Sequence, residues 1–458
     1  MERARADVVI VGAGPAGLFA ARELALRTDL RVLVLEKGPD LPERLRDPSH
    51  RTSGFGGAGA FSDGKLTLSP ETGGRLAEAV GPEIDRLIAE VDEVFVELGA
   101  PLQVHGADRA EVERLARLAE SAGLTLRPAR IRHVGTDRLP EIVQRLREQL
   151  PPDRVEIRTG CAVERVEVED GRLVGVLADG ELIRAPWVIL APGRAGAEWL
   201  DAEARRLGLP ASRNLVDIGV RVECAAEVME PLTRPLYEFK LLTRSRTFGD
   251  RVRTFCVCPY GEVTLETYED VVTVNGHSYA DRRTSNTNFA ILVTTRFTEP
   301  FREPIAYGRY VAHLANLIGG TVIVQRLGDL RLGRRSTPER LAEGSVTPTL
   351  PAATAGDLAF VLPYRYLTDV LEMLEAMDAL APGLYARDTL LYGVEVKFYS
   401  AQLRLSPEME TRIPGLFGAG DGVGISRGLV QAAASGVVAA RAIARRAVGA
   451  SGPRDPRP

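Results

Sequence analysis

A glycine pattern near the N-terminus sets the fold of the first part of the chain. Gly12, Gly14 and Gly17 have the spacing Gly-x-Gly-x-x-Gly. An apolar, β-branched run at residues 6–11 precedes them, and an Ala- and Leu-rich stretch at 18–26 follows. The first run is typical of a strand buried on both faces, and the second favours a helix. Strand, glycine turn and helix in this order predict a βαβ unit that binds a dinucleotide.

Each glycine of the pattern has a separate physical role in such a unit. Gly12 allows the tight turn, Gly14 lets the backbone approach a pyrophosphate, and Gly17 allows the helix to pack closely on the strand. The N-terminus of the helix then offers unpaired N–H groups and a partial positive charge to phosphates. The predicted phosphate loop consists of Gly12, Ala13, Gly14, Pro15, Ala16 and Gly17.

An acidic residue ends the second predicted strand, at residues 31–35. Glu36 lies nineteen positions after Gly17, where a carboxylate accepts hydrogen bonds from ribose hydroxyls. Its negative charge would repel a 2′-phosphate, so the predicted nucleotide is FAD or NAD and not NADP. We assign Lys37, the next residue, to the same cofactor-binding region.

Two later segments favour FAD over NAD. Residues 413–421 and 428–436 resemble the second flavin fingerprint of two-part FAD enzymes, in which the aspartate contacts the ribityl or phosphate side. The following helix would direct its positive N-terminus at the flavin pyrimidine ring and stabilise the anionic reduced form. Residues 188–193 resemble the strand and glycine that lie between the two halves of such enzymes. The predicted contacts are Ala191, Pro192, Gly193, Gly420, Asp421, Gly428, Leu429 and Val430.

A glycine-dense segment at residues 51–65 suits an irregular backbone that lies close to a ligand. Lys65 at its end is a candidate catalytic residue, which could tune the reduced flavin or bind an anionic substrate. A solvent-facing loop lysine is the alternative. Ser62 and Asp63 are candidates for ribityl contacts, and Asp63 could equally cap a turn. The cofactor-binding set is completed by Gly57, Ala58, Ser62, Asp63 and Gly64 and, from a predicted strand at 162–169, by Val163.

Three further positions carry candidate chemistry. His277 is the best imidazole for proton transfer, with a hydrogen-bonded structural histidine as the alternative. Glu395 and Lys397 share one face of a predicted strand. An inward face would put a charged pair beside the flavin, but we expect an outward, solvated face. Arg334 and Arg335 could bind a carboxylate, but we expect a surface pair. The five histidines do not cluster in the sequence, so we expect no metal site.

Several longer segments match one group of flavoproteins. They are residues 54–65, 131–137, 191–196 and 274–278, together with Asn286 and Asn288. With these segments the chain resembles, over nearly its full length, the uncharacterised FAD-dependent dehydrogenase family of bacteria and archaea, within the glutathione-reductase-like flavoproteins. The resemblance implies an α/β fold, in which a Rossmann-like, glutathione-reductase-type FAD-binding domain is built from discontinuous segments. Residues 393–400 and Asp421 depart from the pattern of the group.

We therefore predict two domains. Residues 1–215 and 386–448 would form the FAD-binding domain, with a helical insertion near residues 70–150 that includes a predicted amphipathic helix at 76–98. Asp170 and Gly171 predict a two-residue hairpin turn between strands at 162–169 and 172–178. Residues 216–385 alternate in a β-like pattern and would form a β-rich substrate domain. Residues 449–458 contain three prolines and would form a disordered tail.

The remaining composition limits partners and location. The formal charge of −4 gives no net attraction to nucleic acid. No apolar run reaches the roughly 18 residues of a membrane span. Four cysteines are too few for a disulfide scaffold. We expect a cytoplasmic protein with reduced thiols.

The predicted function is that of an FAD-dependent oxidoreductase with non-covalent FAD, which moves a hydride between flavin N5 and a small or medium organic substrate. No second strand, Gly-x-Gly-x-x-Gly and helix follow in the middle of the sequence, so a dedicated nicotinamide domain is not expected. Electrons would come from the substrate, from transiently bound NAD(P)H or from an electron-transfer partner. The alternatives are a flavin monooxygenase using transiently bound NAD(P)H, and a nucleic-acid-modifying or scaffold flavoprotein.

Overall fold

The chain forms two compact units. The computed structural model describes residues 6–47, 50, 52–212, 216–268, 271–295, 297, 303–397 and 402–450. The first unit comprises Met1–Leu102, Arg132–Asn214 and Ser400–Pro458, and the second comprises Gln103–Ile131 and Leu215–Tyr399. Part of the predicted tail, residues 451–458, lies outside the described residues.

The elements are numbered in chain order. The helices are α1 (Pro15–Arg27), α2 (Leu41–Arg46), α3 (Leu76–Val80), α4 (Glu83–Glu97), α5 (Arg109–Ser121), α6 (Leu139–Glu148), α7 (Ala197–Arg206), α8 (Ala226–Leu236), α9 (Pro304–Gly319), α10 (Leu327–Arg331), α11 (Pro338–Ala342), α12 (Tyr364–Asp378) and α13 (Leu429–Ala450). The strands are β1 (Val8–Val11), β2 (Val32–Leu35), β3 (Lys65–Thr67), β4 (Thr125–Arg127), β5 (Ile131–His133), β6 (Val155–Arg158), β7 (Val163–Glu169), β8 (Arg172–Ala178), β9 (Glu181–Arg184), β10 (Trp187–Leu190), β11 (Ala211–Ser212), β12 (Val216–Ala225), β13 (Lys240–Arg244), β14 (Arg251–Cys258), β15 (Glu262–Tyr268), β16 (Val271–His277), β17 (Asn286–Thr295), β18 (Ile323–Arg326), β19 (Thr354–Ala355), β20 (Leu390–Lys397), β21 (Gln402–Leu403) and β22 (Leu416–Gly418).

A parallel sheet forms the centre of the first unit. Its five strands lie in the order β22-β10-β1-β2-β6. Strands β1 and β2 are buried at every position, as the continuous apolar runs predict. Helix α1 connects them and begins at Pro15, whose fixed φ suits the first helical position. The predicted α/β fold with a Rossmann-like βαβ unit is confirmed.

A separate antiparallel sheet, β7-β8-β9, also belongs to the first unit. The turn between β7 and β8 is made by Asp170 and Gly171, both with positive φ. Two such residues are required in a two-residue hairpin loop of the type that matches the twist of the strands. The Asp-Gly pair was the sequence signal for this hairpin, and the structure confirms it.

An eight-stranded sheet dominates the second unit, in the order β19-β18-β20-β12-β17-β14-β13-β4. Along β12, Ile218, Val220 and Val222 point into an apolar core that also contains residues of α9 and α12. The alternate positions Arg221 and Glu223 are polar, yet they are fully buried. The hairpin β15–β16 lies near these positions, since a Cβ on Gly276 of β16 would be 2.1 Å from Arg221 Nη2. Both faces of β12 are therefore covered within this unit.

Two stretches predicted for the first domain group with the second unit. Residues 103–131 do so because β4 pairs antiparallel with β13, more than a hundred positions away in sequence. Residues 386–399 do so because β20 pairs with both β12 and β18. Long-range strand pairing of this kind leaves no local sequence signal, and it overrides the predicted boundaries.

Three local predictions also need correction. The helix expected over residues 76–98 is broken into α3 and α4 at Gly81 and Pro82, because Gly81 has a φ of +59° and Pro82 cannot supply a helical N–H. The glycine-dense segment, expected to be irregular, contains a short 3-10 helix at Gly57–Phe61. The predicted tail begins too early, because α13 extends to Ala450.

Candidate functional site

Two glycines of the phosphate loop are required by the packing of the protein itself. Gly12 has a φ of +105°, and a Cβ there would lie 2.2 Å from the carbonyl oxygen of Ala191. A Cβ on Gly17 would lie 2.0 Å from the carbonyl oxygen of Gly12. Both distances are far below van der Waals contact, so a side chain at either position would displace backbone.

Gly14 is different, because nothing in the protein excludes a side chain there. The nearest atom among the described residues to a Cβ at this position is the Gly57 Cα, at an ordinary contact distance of 3.8 Å. Gly14 is also the N-cap of α1 and provides no side-chain cap. A Cβ at Gly14 would therefore fit beside the start of α1 without a clash, and the glycine leaves that volume unfilled. This geometry fits a phosphate group, which would take up both the room and the hydrogen bonds.

Glu36 ties three backbone segments together at the end of β2. Its Oε1 accepts hydrogen bonds from the N–H groups of Gly38 and Gly54, both at 2.9 Å, and its Oε2 accepts one from Ala13, also at 2.9 Å. The residue is 6% exposed. A carboxylate offers about four acceptor positions, so one remains for a ribose hydroxyl. The next residue, Lys37, donates from Nζ to the Ala195 carbonyl oxygen at 2.8 Å.

Arg44 holds the glycine-dense segment in place and was not singled out from the sequence. Its buried guanidinium donates to four carbonyl oxygens, and its Cζ lies 4.6 Å from the centre of the Phe61 ring. The acceptors are His50, Gly54, Phe55 and Gly57. Burial lowers the pKa of Arg44 to about 10, although the nearby charge of Glu36 acts in the opposite direction. The residue stays cationic at neutral pH and holds the glycine-dense segment by donating hydrogen bonds to its backbone carbonyl groups.

Lys65 is buried at the first position of β3. Its side chain is 3% exposed, and its Nζ lies 2.8 Å from Asp63 Oδ2. The solvent-facing alternative is therefore wrong. Of its neighbours, Ser62 donates from Oγ to the Gly59 carbonyl oxygen at 3.2 Å. Gly64 has a φ of +73° and lies against the backbone of residue 135.

The C-terminal segment contacts α1 and the residues that follow β10. Gly420 donates from its N–H to Ser435 Oγ at 2.8 Å, which fixes the turn after β22. Asp421 accepts at Oδ1 from Ser426 Oγ at 2.6 Å, and its Oδ2 lies 4.0 Å from Arg194 Nε. Helix α13 packs closely on α1, because a Cβ on Gly436 would be 2.0 Å from the carbonyl oxygen of residue 16.

Most of the predicted cofactor residues come together in the first unit. A Cβ on Gly59 would meet both Pro15 and Leu429 at 2.7 Å, so the glycine-dense segment lies against α1 and the start of α13. Gly193 has a φ of +62° and open space around it. Val430 is buried. The other members of the set stand at element ends: Ala58 in the 3-10 helix, Ala191 and Pro192 directly after β10, Gly428 directly before α13, and Val163 at the start of β7.

His277 ends β16 in the second unit. It is half-buried and stands opposite Glu262 of β15. Arg334 and Arg335 are exposed, as predicted, and Arg334 Nε donates to Asp329 at 2.9 Å.

The solvated face predicted for Glu395 and Lys397 is wrong. Glu395 is 0% exposed and Lys397 is 6% exposed. Lys397 Nζ lies 3.1 Å from Glu395 Oε1 and 3.3 Å from Glu266 Oε2 of β15. Arg221 Nη1 lies 3.4 Å from Glu395. The face is buried because β20 is an interior strand of its sheet and the β15–β16 hairpin lies over it.

Comparison with protein families gives two matches that divide the chain. Residues 7–218 match the family described as FAD dependent oxidoreductase, and residues 217–398 match the family described as FAD-dependent protein, C-terminal domain-like. The chain is an FAD-dependent oxidoreductase. The predicted enzyme class and FAD cofactor are thereby confirmed. Residues 362–451 also match the family described as glucose inhibited division protein A.

Similar proteins include one that matches over nearly the whole chain. An uncharacterised protein of Clostridium beijerinckii is 28% identical, over 96% of this chain and 81% of that protein. Protein FixC of Salmonella typhi is 30% identical, over 41% of this chain and 36% of FixC. Two solved structures are similar over most of both chains. Glycine oxidase from Geobacillus kaustophilus has 15% identity, a TM-score of 0.42 and coverage of 96% and 95%. The 3-ketosteroid-delta4-(5alpha)-dehydrogenase from Rhodococcus jostii has 17% identity, a TM-score of 0.43 and coverage of 96% and 97%.

None of the helices in the described ranges combines the length and the apolar character that a bilayer crossing demands.

Proposed function

We propose that the first unit binds FAD non-covalently and that the oxidoreductase acts on a small or medium organic molecule. Gly14 carries this proposal, because it is the N-cap of α1 and the packing of the described residues does not require a glycine there. When bound, FAD supplies hydride transfer at its N5. The parallel sheet order and the separate antiparallel sheet β7-β8-β9 support a glutathione-reductase-type arrangement of this unit.

The residues of the first unit divide the binding of FAD between them. The backbone at Gly14 and Gly57 would hold the pyrophosphate, and the N–H groups at the α1 N-terminus would donate to it. The remaining acceptor position of Glu36 would take a ribose hydroxyl. Asp421 and the start of α13 would hold the flavin side, where a helix N-terminus favours negative charge on the reduced ring.

Lys65 is the proposed electrostatic residue. Its buried ammonium is paired with Asp63, which holds the ammonium in position and offsets part of its charge. An ammonium held near the flavin favours extra negative charge on the reduced ring, and burial reduces the screening of that interaction by water. His277 is the proposed proton carrier of the second unit, since an imidazole changes charge near neutral pH.

The electron donor is proposed from the sequence. Only one Gly-x-Gly-x-x-Gly following a strand is evident in the sequence, so a dedicated nicotinamide domain is not expected. The substrate itself is therefore the proposed source of electrons, and the proposed acceptor is a small molecule or an electron-transfer partner. Transient use of NADH or NADPH is the alternative that the following experiment separates.

The test is anaerobic mixing of the purified, flavin-containing protein with fractionated metabolite pools, NADH and NADPH, while the flavin absorbance is recorded. We expect a metabolite fraction to bleach the flavin faster than either nicotinamide does, and a dye acceptor to restore the colour. Free FAD with the same fraction is the control. If dithionite bleaches the flavin but no metabolite fraction does, the proposal of a small organic reductant is wrong, and bleaching by NAD(P)H alone would support the alternative.

A further inference from the structure

Two of the four cysteines have the surroundings of inert core thiols. Cys161 is buried in the first unit, and burial raises the pKa of its thiol to about 11. Cys224 is buried in the second unit, and burial raises the pKa of its thiol well above the usual range. A thiol that does not ionise is a poor nucleophile, so these two residues serve as internal references.

Cys256 and Cys258 lie at an irregularity of β14. The pairing of β14 with β17 shifts register between Phe255 and Cys258. Cys256 has a φ of +47°, in the left-handed region that residues with side chains seldom adopt. The bulge places the two sulfur atoms within 4.8 Å of one another. In a regular strand, residues two positions apart are separated by about 6.7 Å along the strand. The bulge therefore brings the thiols closer than a regular strand would.

A buried arginine contacts both cysteines. Arg221 is 0% exposed, and its Nη2 donates to Cys258 Sγ at 3.2 Å and to the Cys256 carbonyl oxygen at 2.7 Å. Its Nε donates to Asn288 Oδ1 at 2.8 Å, which fixes the guanidinium plane. A guanidinium beside a thiol stabilises the thiolate.

The two cysteines differ in access. Cys258 is fully buried, whereas Cys256 is half-buried. A half-buried first thiol and a fully buried second thiol beside an arginine are the parts of a thiol–disulfide exchange pair.

We propose that Cys256 and Cys258 form a reversible thiol–disulfide couple that exchanges with the disulfide of a small thiol such as glutathione, with Arg221 stabilising the Cys258 thiolate. Both cysteines belong to the second unit.

The exchange is balanced without any further oxidant. The Cys256 thiolate attacks the small disulfide, so that a bond to one of its sulfurs forms and the original S–S bond breaks, releasing one thiolate. The Cys258 thiolate then attacks Cys256 Sγ, which forms the Cys256–Cys258 bond and releases the second small thiolate. The protons lost by the two cysteines convert the two leaving thiolates into thiols. The protein loses two electrons and two protons, and the small disulfide gains them.

The test equilibrates the native, FAD-containing protein in a series of reduced and oxidised glutathione ratios, followed by acid quenching, alkylation and peptide mass spectrometry. We expect the peptide that holds Cys256 and Cys258 to lose two hydrogens in one step, while Cys161 and Cys224 remain alkylated. A peptide that keeps both thiols at every ratio, or that accumulates a glutathione adduct in the wild-type protein, would overturn the proposal.

Two variants assign the roles. In Cys258→Ser the reaction should stop with glutathione on Cys256, because the resolving thiol is absent, whereas the matched variant Cys224→Ser should form the disulfide as the wild type does. Disulfide loss in both variants, or no adduct in the first, would contradict the roles. If Cys258→Ser does not fold, the rate of alkylation of the wild type tests the proposal instead. We expect iodoacetamide to modify the Cys256–Cys258 peptide roughly tenfold faster than the Cys224 peptide at neutral pH. Equal rates would overturn the proposal.

Discussion

Replacing Glu36 separates its structural role from its role toward the cofactor. The carboxylate accepts three backbone N–H groups, from Ala13, Gly38 and Gly54, each at 2.9 Å. Glu36→Gln keeps the shape, but only one of the two terminal atoms can then accept. If the amide oxygen takes the position that serves Gly38 and Gly54, the amide N–H₂ faces the N–H of Ala13.

The magnitude follows from this count. One buried N–H without an acceptor costs about 1–3 kcal/mol, so Glu36→Gln should destabilise the loop by that amount even when no cofactor is bound. In Glu36→Ala all three N–H groups lose their acceptor, and we expect a loss of roughly 3–6 kcal/mol, because neighbouring losses are not fully additive.

The assay is amide hydrogen exchange on the flavin-free protein, read at the peptides that contain Ala13, Gly38 and Gly54. A local loss of about 1–3 kcal/mol corresponds to roughly 5- to 150-fold faster exchange. Glu43→Gln is the matched control, because Glu43 is an exposed glutamate in the neighbouring helix α2. FAD affinity is measured by equilibrium dialysis on the wild type and on the three variants.

Two results would refute this reasoning. Exchange in flavin-free Glu36→Gln that equals that of the wild type would show that the three hydrogen bonds do not stabilise the loop. Unchanged FAD affinity in Glu36→Ala would remove Glu36 from the ribose site.

Three further changes have defined outcomes. Gly14→Ala should lower FAD affinity at least tenfold while the melting temperature of the flavin-free protein changes little. Gly17→Ala should melt at a markedly lower temperature, because its Cβ would meet the Gly12 carbonyl oxygen at 2.0 Å. Equal melting temperatures of the two variants would contradict the difference in packing. Lys65→Met should lower the flavin potential by some tens of millivolts in a dye-linked titration, about 30 mV per 1.4 kcal/mol, with FAD still bound; an unchanged potential and unchanged turnover would withdraw Lys65 from the site. Burial raises the pKa of Asp369 to about 6. This residue therefore stabilises the fold fully below pH about 4 and loses that contribution as the pH rises through 6. In denaturant unfolding, Asp369→Asn should be more stable than the wild type by roughly 1–3 kcal/mol at pH 8 and equal to it near pH 4. Equal stability at both pH values would show that Asp369 is not buried as a charged group.

The parts of the fold that local patterns determine could be predicted from the sequence. Strand β1, helix α1 and strand β2 follow from apolar runs and a glycine turn. The pair Asp170 and Gly171 is a local signal for the hairpin turn between β7 and β8. The pairing of β4 with β13 could not be predicted, since it depends on which strand edge is available in the folded unit.

The candidate site shows the same division. Gly14 and Glu36 could be singled out because their spacing matches a dinucleotide-binding motif. Arg44 belongs to no sequence motif, and it holds the glycine-dense segment through carbonyl groups that only the folded segment brings together. For Glu395 and Lys397 the period of a strand gave the shared face correctly. It could not tell that a hairpin covers this face, so burial was missed.

The central claim is that the phosphate loop and Glu36 hold a complete FAD molecule without a covalent bond. Acid precipitation of the purified native protein, with chromatography of the supernatant against FAD and FMN standards, tests it most directly. We predict a colourless pellet and FAD in the supernatant, in amounts stoichiometric with the chain. Colour that stays with the pellet, or release of FMN, which lacks the pyrophosphate and the adenosine ribose, would contradict it.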